Sequence, residues 1–358
     1  MPVLDCQRLI QDRVGALRQA HNDAGISRAE LDLSGGIDSA VMACLLVQAL
    51  GPENVTLVHS RFKTNPQQSS RAEALALALE CPLVNANLNE TFEVLMTEML
   101  ESLGRAGYNL TDLDARCKAD PTILGSIRST LRAPIGRGFN RLTGGGLRHG
   151  TGNEDEDRWL RFYQKGGDGE VDSNPIAMLS KGEVYQLAWG LAQALPKARF
   201  VLYETIQATP SPDLWGTGDA HSDEAEMLKW TGAPFTYSRI DLETGSYSYV
   251  GTIERMNRFL DYVPRAQEEG GKIPTIGEWL FLSNQDYVRA NLRSLIPEAS
   301  ASGLFPNFKA QELETLITAA FLAERVTRHK LNPNIPTYGS RPQLIFSGIL
   351  TNDLPQTF

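Results

Sequence analysis

Hydrophobic and polar positions follow two different periods along roughly the first hundred residues of the chain. Short apolar runs bounded by turn residues indicate strands, and longer segments with apolar positions every three to four residues indicate helices. In chain order the pattern predicts helix 5–23, strand 29–33, helix 38–50, strand 54–59, helix 67–80, strand 82–86 and helix 90–103. This alternation favours an α/β fold with a doubly wound parallel sheet and helices on both faces. Ligands of such sheets bind beyond the carboxyl ends of the strands.

The pattern is less regular in the rest of the chain. Prolines and glycines within 134–152 predict a loop or a weak strand, and those within 205–223 predict a long loop of the kind that often forms a lid. Another break is expected at 264–276. Helical periods return at 284–295 and 309–328, and a tail containing proline follows them.

Composition places the chain among ordinary soluble proteins. Its 358 residues are 42% hydrophobic and 22% charged, and no apolar run reaches the ~18–20 residues that a membrane-spanning helix needs. The N-terminal segment lacks a hydrophobic signal core, so we expect a cytoplasmic protein that does not bind membranes. The net charge of −9 disfavours nonspecific nucleic-acid binding, which requires a basic surface. Four widely spaced cysteines without a CxxC pair indicate buried or incidental thiols.

The most informative segment is Ser34-Gly35-Gly36-Ile37-Asp38-Ser39, which directly follows the first predicted strand. A strand that ends in two glycines and opens a helix presents backbone N–H groups and the positive end of the helix dipole to an anion. The hydroxyls of Ser34 and Ser39 add donors, and Asp38 places a carboxylate where a divalent metal could bridge it to phosphate. No Gly-Lys-Ser/Thr follows, so the loop is not the P-loop of kinases and GTPases.

A second block of polar and glycine residues occupies the middle of the chain. Its segments are Gly150-Thr151-Gly152-Asn153-Glu154-Asp155-Glu156, Lys165-Gly166-Gly167-Asp168-Gly169-Glu170-Val171-Asp172-Ser173-Asn174-Pro175-Ile176 and Ser180-Lys181. Together with the glycine loop they resemble the NAD synthetases, which belong to the ATP pyrophosphatase (PP-loop, SGGxDS) superfamily. Pro210-Ser211-Pro212-Asp213-Leu214, Ser222-Asp223-Glu224 and Arg328-His329-Lys330 resemble further motifs of that family in the same order. The resemblance implies a Rossmann-like, adenine nucleotide alpha hydrolase-like fold with a C-terminal helical extension.

The resemblance implies an ATP-dependent amidation. In the family, ATP adenylates the nicotinate carboxylate of nicotinic acid adenine dinucleotide (deamido-NAD) and releases pyrophosphate, and ammonia then displaces AMP to give NAD. The chain's length is taken up by the synthetase pattern, which leaves no room for a glutaminase domain. Free ammonia is therefore the expected nitrogen donor, and a separate glutaminase subunit stays open. The family also implies a homodimer.

The resemblance assigns roles residue by residue. Asp38 and Glu156 match the residues that bind the Mg²⁺ ion of the ATP phosphates. Lys181 matches a lysine that contacts phosphate and the developing negative charge, and Thr151 matches a residue near the adenylate phosphate. Asp38, Thr151 and Lys181 are accordingly the catalytic candidates. The ATP-binding candidates are Ser34, Gly35, Gly36, Asp38, Ser39, Thr151 and Lys181. The deamido-NAD candidates are Arg132, Lys165, Asp168, Asp172, Ser211, Asp213, His329 and Lys330, of which Asp172 matches a carboxylate at the pyridine ring.

The pattern also departs from the family at three places. The helix that normally carries N-x-x-A-R-x-R reads Ser126-Ile127-Arg128-Ser129-Thr130-Leu131-Arg132 and keeps only Arg132. The strand before Thr151 is rich in glycine, and residues 238–320 are longer than the family's equivalent. Two alternatives therefore stay open. One is another PP-loop ATP pyrophosphatase that amidates a different acid, and the other is a catalytically silent nucleotide-binding sensor.

Each motif also has a simpler structural interpretation when it is taken alone. The carboxylates at 154–156 suit a solvated helix N-terminus, and Lys181 and His329 suit an exposed surface. For domain organisation, the sequence predicts a synthetase core at 1–235. It also predicts a helical insertion at 236–320 packed on the core, and a substrate-closing segment with a tail at 321–358.

Overall fold

Four parallel strands form the central sheet of the computed structural model, which describes residues 2–212, 222–268, 295–330 and 335–355. The strands are β1 (Ala29–Asp32), β2 (Val55–Arg61), β3 (Leu83–Asn87) and β4 (Leu147–His149), in the spatial order β3-β2-β1-β4. Leu31 on β1 aligns with Leu57 on β2 and with His149 on β4. The three strands predicted in the first hundred residues are confirmed to within two residues at each end.

Helices surround this sheet and continue beyond it. The first half of the chain contains α1 (Cys6–Ala24), α2 (Ile37–Leu50), α3 (Pro66–Ala78), α4 (Asn89–Arg105), α5 (Leu110–Ala119), α6 (Thr122–Leu142) and α7 (Glu154–Asp157). The second half contains α8 (Lys181–Ala194), α9 (Arg199–Gln207), α10 (Asp223–Thr231), α11 (Thr252–Glu268), α12 (Leu295–Ala301), α13 (Ala310–Thr327) and α14 (Arg341–Phe346). A small antiparallel pair, β5 (Arg239–Ile240) and β6 (Tyr247–Tyr249), lies between α10 and α11.

Alternate residues of β1 face two different environments. Leu31 joins an apolar core with α1, α2, α8 and α9, and α2 is buried nearly all round, as its uniformly apolar sequence predicts. Glu30 points to the opposite face, where its carboxylate pairs with the guanidinium of Arg148 on β4 at 2.9 Å. Gly136 on α6 packs against that guanidinium. The doubly wound α/β fold with helices on both faces is confirmed.

The prediction for 134–152 was wrong in its first half. Pro134 and Gly136 lie inside α6, which runs without a break to Leu142, and only β4 matches the weak strand that the pattern allowed. A Cβ added at Gly136 would overlap the guanidinium of Arg148. A buried ion pair thus selects glycine in the middle of a helix, and this tertiary requirement overrides the low helix propensity of the residue.

A second apolar cluster joins the loop after α7 to the helices of the C-terminal half. It joins Trp159 and Phe235 to Met256 on α11, Phe305 after α12 and Leu316 on α13. The helix predicted at 309–328 is confirmed as α13. The break predicted at 264–276 was wrong at its start, because α11 continues through Pro264 to Glu268. Residues 269–276 and almost all of the helix predicted at 284–295 lie outside the described residues, and the domain boundaries stay a prediction.

Two further expectations concern thiols and membranes. Cys44 is buried and Cys6, Cys81 and Cys117 are half-buried, and all four are free thiols. Within the described ranges, no helix combines the length and the apolar character that crossing a bilayer would require.

The turn from β1 to α2 depends on the glycine at position 35. Its φ of +83° lies in the left-handed region, and an added Cβ would overlap the backbone carbonyl of Gln68 on α3. Arg71 on the same helix donates from Nε to the Gly35 carbonyl at 2.9 Å. The turn is therefore packed directly against α3 and cannot move away to make room for a side chain.

We expect Gly35→Ala to destabilise the chain more than Gly107→Ala, because Gly107 has a similar φ of +90° but no atom within 4 Å of its added Cβ. The control, Gly107→Ala, should lower the free energy of unfolding by about 1–2 kcal/mol through the backbone conformation alone. Urea unfolding of the two variants measures the difference. Equal losses would show that the turn has room for a Cβ.

A buried histidine pair joins the sheet to its neighbouring helix. His21 donates from Nδ1 to the carbonyl of Ile26 at 2.7 Å, so its Nε2 accepts from Nε2–H of His149 at 2.9 Å. Ser173 then donates to Nδ1 of His149 at 2.8 Å. Burial, with the neighbouring His21, lowers the pKa of His149 from 6.5 to about 3. Both rings therefore stay neutral and hold the chain just before Gly150 and Thr151.

This pair predicts acid destabilisation. Between pH 6.5 and about 3 the unfolded His149 binds a proton that the folded one refuses, so the free energy of unfolding falls as the pH is lowered. A full proton corresponds to about 1.4 kcal/mol per pH unit. We expect His149→Asn to flatten this decline, and His329→Asn, at an exposed histidine, to leave it unchanged. Urea unfolding at a series of pH values measures both slopes, and identical slopes in the wild type and His149→Asn would contradict the account.

Candidate functional site

The glycine turn sits at the carboxyl end of β1 and opens α2 at Gly36. The N–H of Gly36 donates to Oγ of Ser34 at 3.2 Å, and the Oγ atoms of Ser34 and Ser39 lie 3.0 Å apart. Oγ of Ser39 also donates to the Gly36 carbonyl at 3.1 Å. These bonds fix the turn while the N-terminal end of α2 faces the space beyond the sheet. A helix N-terminus with free N–H groups attracts phosphate.

The loop after β4 reaches the same place from the neighbouring strand. Asn153 caps the short helix α7, where its Oδ1 accepts from the N–H of Glu156 at 3.2 Å. Its Nδ2 donates to Oδ1 of Asp38 on α2 at 2.9 Å. One side chain therefore connects the two loops, which are more than a hundred residues apart in the sequence.

Lys181 is the charged centre of this arrangement. Its ammonium group lies 2.6 Å from Oδ2 of Asp38 and 2.8 Å from Oε1 of Glu156, and the residue is only 2% exposed. Burial lowers the pKa of Lys181, but the two carboxylates outweigh burial and raise this pKa well above its usual value. Burial raises the pKa of Glu156, and the nearby Lys181 opposes that rise. The lysine is therefore a permanent cation between two half-buried acids.

The backbone of Lys181 is held as firmly as its side chain. It begins α8, which has a capping box formed by Ser180 and Glu183. The N–H of Lys181 donates to Oδ2 of buried Asp155 at 3.1 Å, and Oδ1 of Asp155 accepts from Nδ2 of Asn257 on α11 at 2.7 Å. Residues 238–320, the region where the sequence is longer than its family pattern, thus contribute a direct support to the site.

A cavity of about 810 Å³ opens over these residues. It brings together ten of the residues singled out in the sequence, namely Ser34, Gly36, Asp38, Arg132, Thr151, Glu156, Asp168, Lys181, Ser211 and Lys330. Gly35 and Ser39 belong to the same turn but lie behind its lining. Asp213 lies outside the described residues.

Besides Gly35 and Ser39, three candidates within the described part of the chain do not line the cavity, namely Lys165, Asp172 and His329. Asp172 forms a two-point ion pair with Arg137 of α6, with both distances 2.8 Å. The guanidinium, together with the N–H of Arg148, lowers the pKa of Asp172 against the effect of burial. Lys165 donates from Nζ to the carbonyl of exposed His329 at 3.0 Å. Their assigned roles in substrate binding stay predictions.

The wall formed by α6 meets the segment with the Gly-Asp-Gly sequence. Ser129 donates from Oγ to Oδ1 of Asp168 at 2.9 Å, and the N–H of Gln164 donates to the same oxygen at 2.9 Å. Arg132 lies one turn further along α6 and also lines the cavity. The helix that departs from the family pattern is therefore part of the site itself.

The C-terminal candidate Lys330 reaches the cavity from the single helical turn Arg328–Lys330 that follows α13. Its ammonium group donates to the carbonyls of Arg161 and Tyr163 at 3.0 and 2.7 Å, and burial lowers its pKa. The hydroxyl of Tyr163 donates in return to the Lys330 carbonyl at 2.9 Å. This segment is tied to the loop after α7 and closes one side of the cavity.

Sequence reasoning gave no role to several residues that line the cavity. Asp223 and Tyr185 face Lys181, and Arg71 and His59 support the glycine turn from α3 and β2. Asp223 lies within the Ser222-Asp223-Glu224 motif, which was a usable signal. Arg71 had no signal, because it lies in an ordinary amphipathic helix far from every motif.

The donor set indicates which metal suits the site. Asp38 and Glu156 offer hard carboxylate oxygens, and their negative charges already converge on one cation, Lys181. The residues that the structure describes contain no group of three or more histidine, cysteine or carboxylate side chains that could hold a metal by itself. Mg²⁺ commonly takes one or two carboxylates and completes its shell with phosphate and water. The residues fit Mg²⁺ delivered with a nucleotide.

Comparison with known proteins agrees with the geometry. The NAD synthase family model matches residues 9–243. The NH(3)-dependent NAD(+) synthetase of Carboxydothermus hydrogenoformans is 30% identical over 256 residues, covering 72% of this chain and 90% of the relative. That of Methanococcoides burtonii is 30% identical over 242 residues, covering 67% of this chain and 78% of the relative.

A solved structure extends the agreement in fold to most of the chain. The NMN synthetase of Francisella tularensis superposes with a TM-score of 0.57 at 18% identity, covering 93% of this chain and 100% of that one. The resemblance seen in the sequence motifs is confirmed, and it implies a ligase that forms a C–N bond with ATP as a substrate. The chain belongs to the NAD synthase family.

Proposed function

We propose that the chain converts deamido-NAD to NAD with ATP, Mg²⁺ and ammonia, through an adenylated intermediate. The observation that carries the proposal is the placement of Lys181 between Asp38 and Glu156, beside a glycine turn that opens a helix. This arrangement supplies a cation and the N-terminus of a helix where the phosphates of ATP and the nicotinate carboxylate must meet. The printed names of the relatives, NH(3)-dependent synthetases, support ammonia as the nitrogen donor.

The glycine turn and the N-terminus of α2 would bind the pyrophosphate end of ATP. Ser34, Gly36 and Thr151 line the cavity wall at this end. Asp38 and Glu156 would hold Mg²⁺, which when bound neutralises phosphate charge and polarises the phosphoryl group. Lys181 stays protonated, so its N–H groups can bind the oxygens on which negative charge develops as pyrophosphate leaves.

Deamido-NAD would lie on the other side of the cavity. Arg132, Asp168, Ser211 and Lys330 line that side, and both arginine and lysine suit the phosphates of a dinucleotide. We propose that Asp172 acts on the substrate indirectly there, since its carboxylate is engaged with Arg137. Lys165, whose ammonium group donates to the backbone carbonyl of His329, would together with His329 close the entrance of the cavity from the C-terminal end.

The chemistry requires that the acyl adenylate is shielded until ammonia arrives. Adenylation turns a poor leaving oxygen into AMP, so water in the cavity would hydrolyse the intermediate. The walls of the cavity are supplied by α6, α8 and α10, with Lys330 closing one side. Buried support from Asp155 and Asn257 keeps Lys181 in place while ligands enter and leave.

We further propose a cytoplasmic homodimer. Apolar side chains of α4, α5 and α6 are exposed, among them Val94, Met99, Leu110 and Leu142. The side chains of α5 are all at least partly exposed, and α4 buries chiefly Phe92. A second copy that covered this surface would lie next to the cavity wall formed by α6.

A specific observation favours one second candidate, amidation of a related acid. The altered helix lines the cavity through Ser126, Ser129 and Arg132, where the family pattern has an asparagine, an alanine and an arginine. The Francisella tularensis structure is of an NMN synthetase, so nicotinic acid mononucleotide is the acid to compare.

The test is the formation of NAD and AMP by the purified chain with ATP, Mg²⁺ and deamido-NAD, supplied with either ammonium or glutamine. We expect NAD with ammonium and none with glutamine, in line with the NH(3)-dependent relatives. Nicotinic acid mononucleotide is assayed in parallel. Product from the mononucleotide alone would favour the second candidate, and failure with both acids would contradict the proposal.

Asp38→Asn tests the assignment of the metal ligand. Loss of one carboxylate should lower turnover on the order of 10²-fold or more, because phosphate charge is then poorly neutralised. The fold should persist, since the single amide oxygen can still accept from either Asn153 or Lys181, and Lys181 keeps its ion pair with Glu156. Steady-state kinetics and a thermal unfolding curve measure both effects. Turnover equal to the wild type in a folded Asp38→Asn variant would remove Asp38 from the mechanism.

A further inference from the structure

Asp223 is a buried carboxylate that the reaction described above does not use. It is the first residue of α10 and is only 6% exposed, yet it lines the cavity. Its Oδ1 atom has no hydrogen-bond partner among the residues that the structure describes. An ionisable oxygen buried without a partner is costly and indicates a ligand that is not part of the fold.

The backbone of Asp223 is fixed in place. Its N–H donates to the carbonyl of Pro210 at 3.0 Å, and Ser222 caps α10 by accepting from the N–H of Ala225 at 3.1 Å. The two chain segments that meet here, at Pro210 and at Asp223, both line the cavity. The carboxylate is therefore held towards the cavity by main-chain contacts, independently of any partner for its side chain.

The surroundings of Asp223 favour a small cation. Tyr185, one turn after Lys181 on α8, lines the same part of the cavity, and Glu156 adds negative potential there. Burial, opposed only in part by Lys181, raises the pKa of Asp223 to about 8. A cation in contact with the carboxylate would remove this unfavourable burial of charge.

Lys181 is not free to be that cation. Its ammonium group is already shared between Asp38 and Glu156, and it also lies 5.0 Å from the centre of the Tyr237 ring. A second monovalent cation of similar size is instead a substrate of the proposed reaction.

We propose that Asp223 binds the ammonium ion that supplies the nitrogen, with the hydroxyl of Tyr185 as a second contact. The inference rests on the proposed function and adds a nitrogen-donor subsite to it. Asp223 lies on the same cavity as Asp38, Glu156 and Lys181, where the acyl group is activated. A carboxylate at this position concentrates ammonium in the cavity and discriminates it from water by charge. Ammonium must lose one proton before its nitrogen attacks the acyl carbon, and that proton passes to the Asp223 carboxylate while AMP leaves with the electron pair of the broken C–O bond.

The test is Asp223→Asn, which removes the charge and keeps the shape. We expect the KM for ammonium to rise about tenfold or more, as for the loss of a hydrogen bond between charged groups. The KM for ATP and the KM for hydroxylamine, a nucleophile that is uncharged near neutral pH, should change little. Glu224→Gln is the matched control, since Glu224 on the same helix lies outside the cavity lining and its amide can still accept from Tyr237 and Arg239.

The outcomes separate this inference from the proposed function. Equal rises in the KM for ammonium and for hydroxylamine, or a loss of ATP binding, would overturn the ammonium assignment. Asp223 would then act, like Lys181, on the activation of the acid by ATP. If the wild-type protein forms no amide, only the proposed function is contradicted, because ammonium binding is measured separately through the thermal unfolding temperature. Ammonium chloride should raise the Tm of the wild type more than tetramethylammonium chloride does, and Asp223→Asn should lose that difference. Identical responses of the two proteins would overturn the subsite.

Discussion

The ammonium group of Lys181 lies between two carboxylates that come from different parts of the chain, and the site takes its shape from this contact. Asp38 lies on α2, which follows β1, and Glu156 lies on the short helix α7, which follows β4. Lys181 is the first residue of α8. These two half-buried acids would repel each other without the lysine, and the buried lysine could not stay charged without the acids. The three elements therefore depend on one another, and the glycine turn is placed by the same contact.

Support for that contact comes from residues far along the chain. The carboxylate of Asp155 accepts a hydrogen bond from the N–H of Lys181 and another from the side chain of Asn257 on α11. Glu183, in the first turn of α8, receives both Nη groups of Arg341 on α14, at 2.7 and 2.6 Å. Each of these charged groups is buried and paired, so the C-terminal part of the chain acts as a scaffold for the N-terminus of α8.

The sequence predicted the features that depend on local pattern. The strands, the helices between them and the glycine turn follow from apolar period and from turn residues, and the segments around Asp38 and Lys181 follow from motif spacing. Long-range contacts set the rest. Gly136 is inside a helix because Arg148 needs its space, and Asp172 is occupied by Arg137, an arginine in no recognised motif. Asp223 was visible in a motif, but only burial reveals that its oxygen lacks a protein partner.

The central claim is that Lys181 and Asp38 stabilise each other, and a double-mutant cycle on the free energy of unfolding tests it most directly. The cycle uses Lys181→Met, Asp38→Asn and the double variant. We predict that Lys181→Met costs about 2 kcal/mol more in the wild type than in the Asp38→Asn background, since it then leaves two adjacent half-buried acids without a counter-charge. Additive losses, within about 0.5 kcal/mol, would contradict the account.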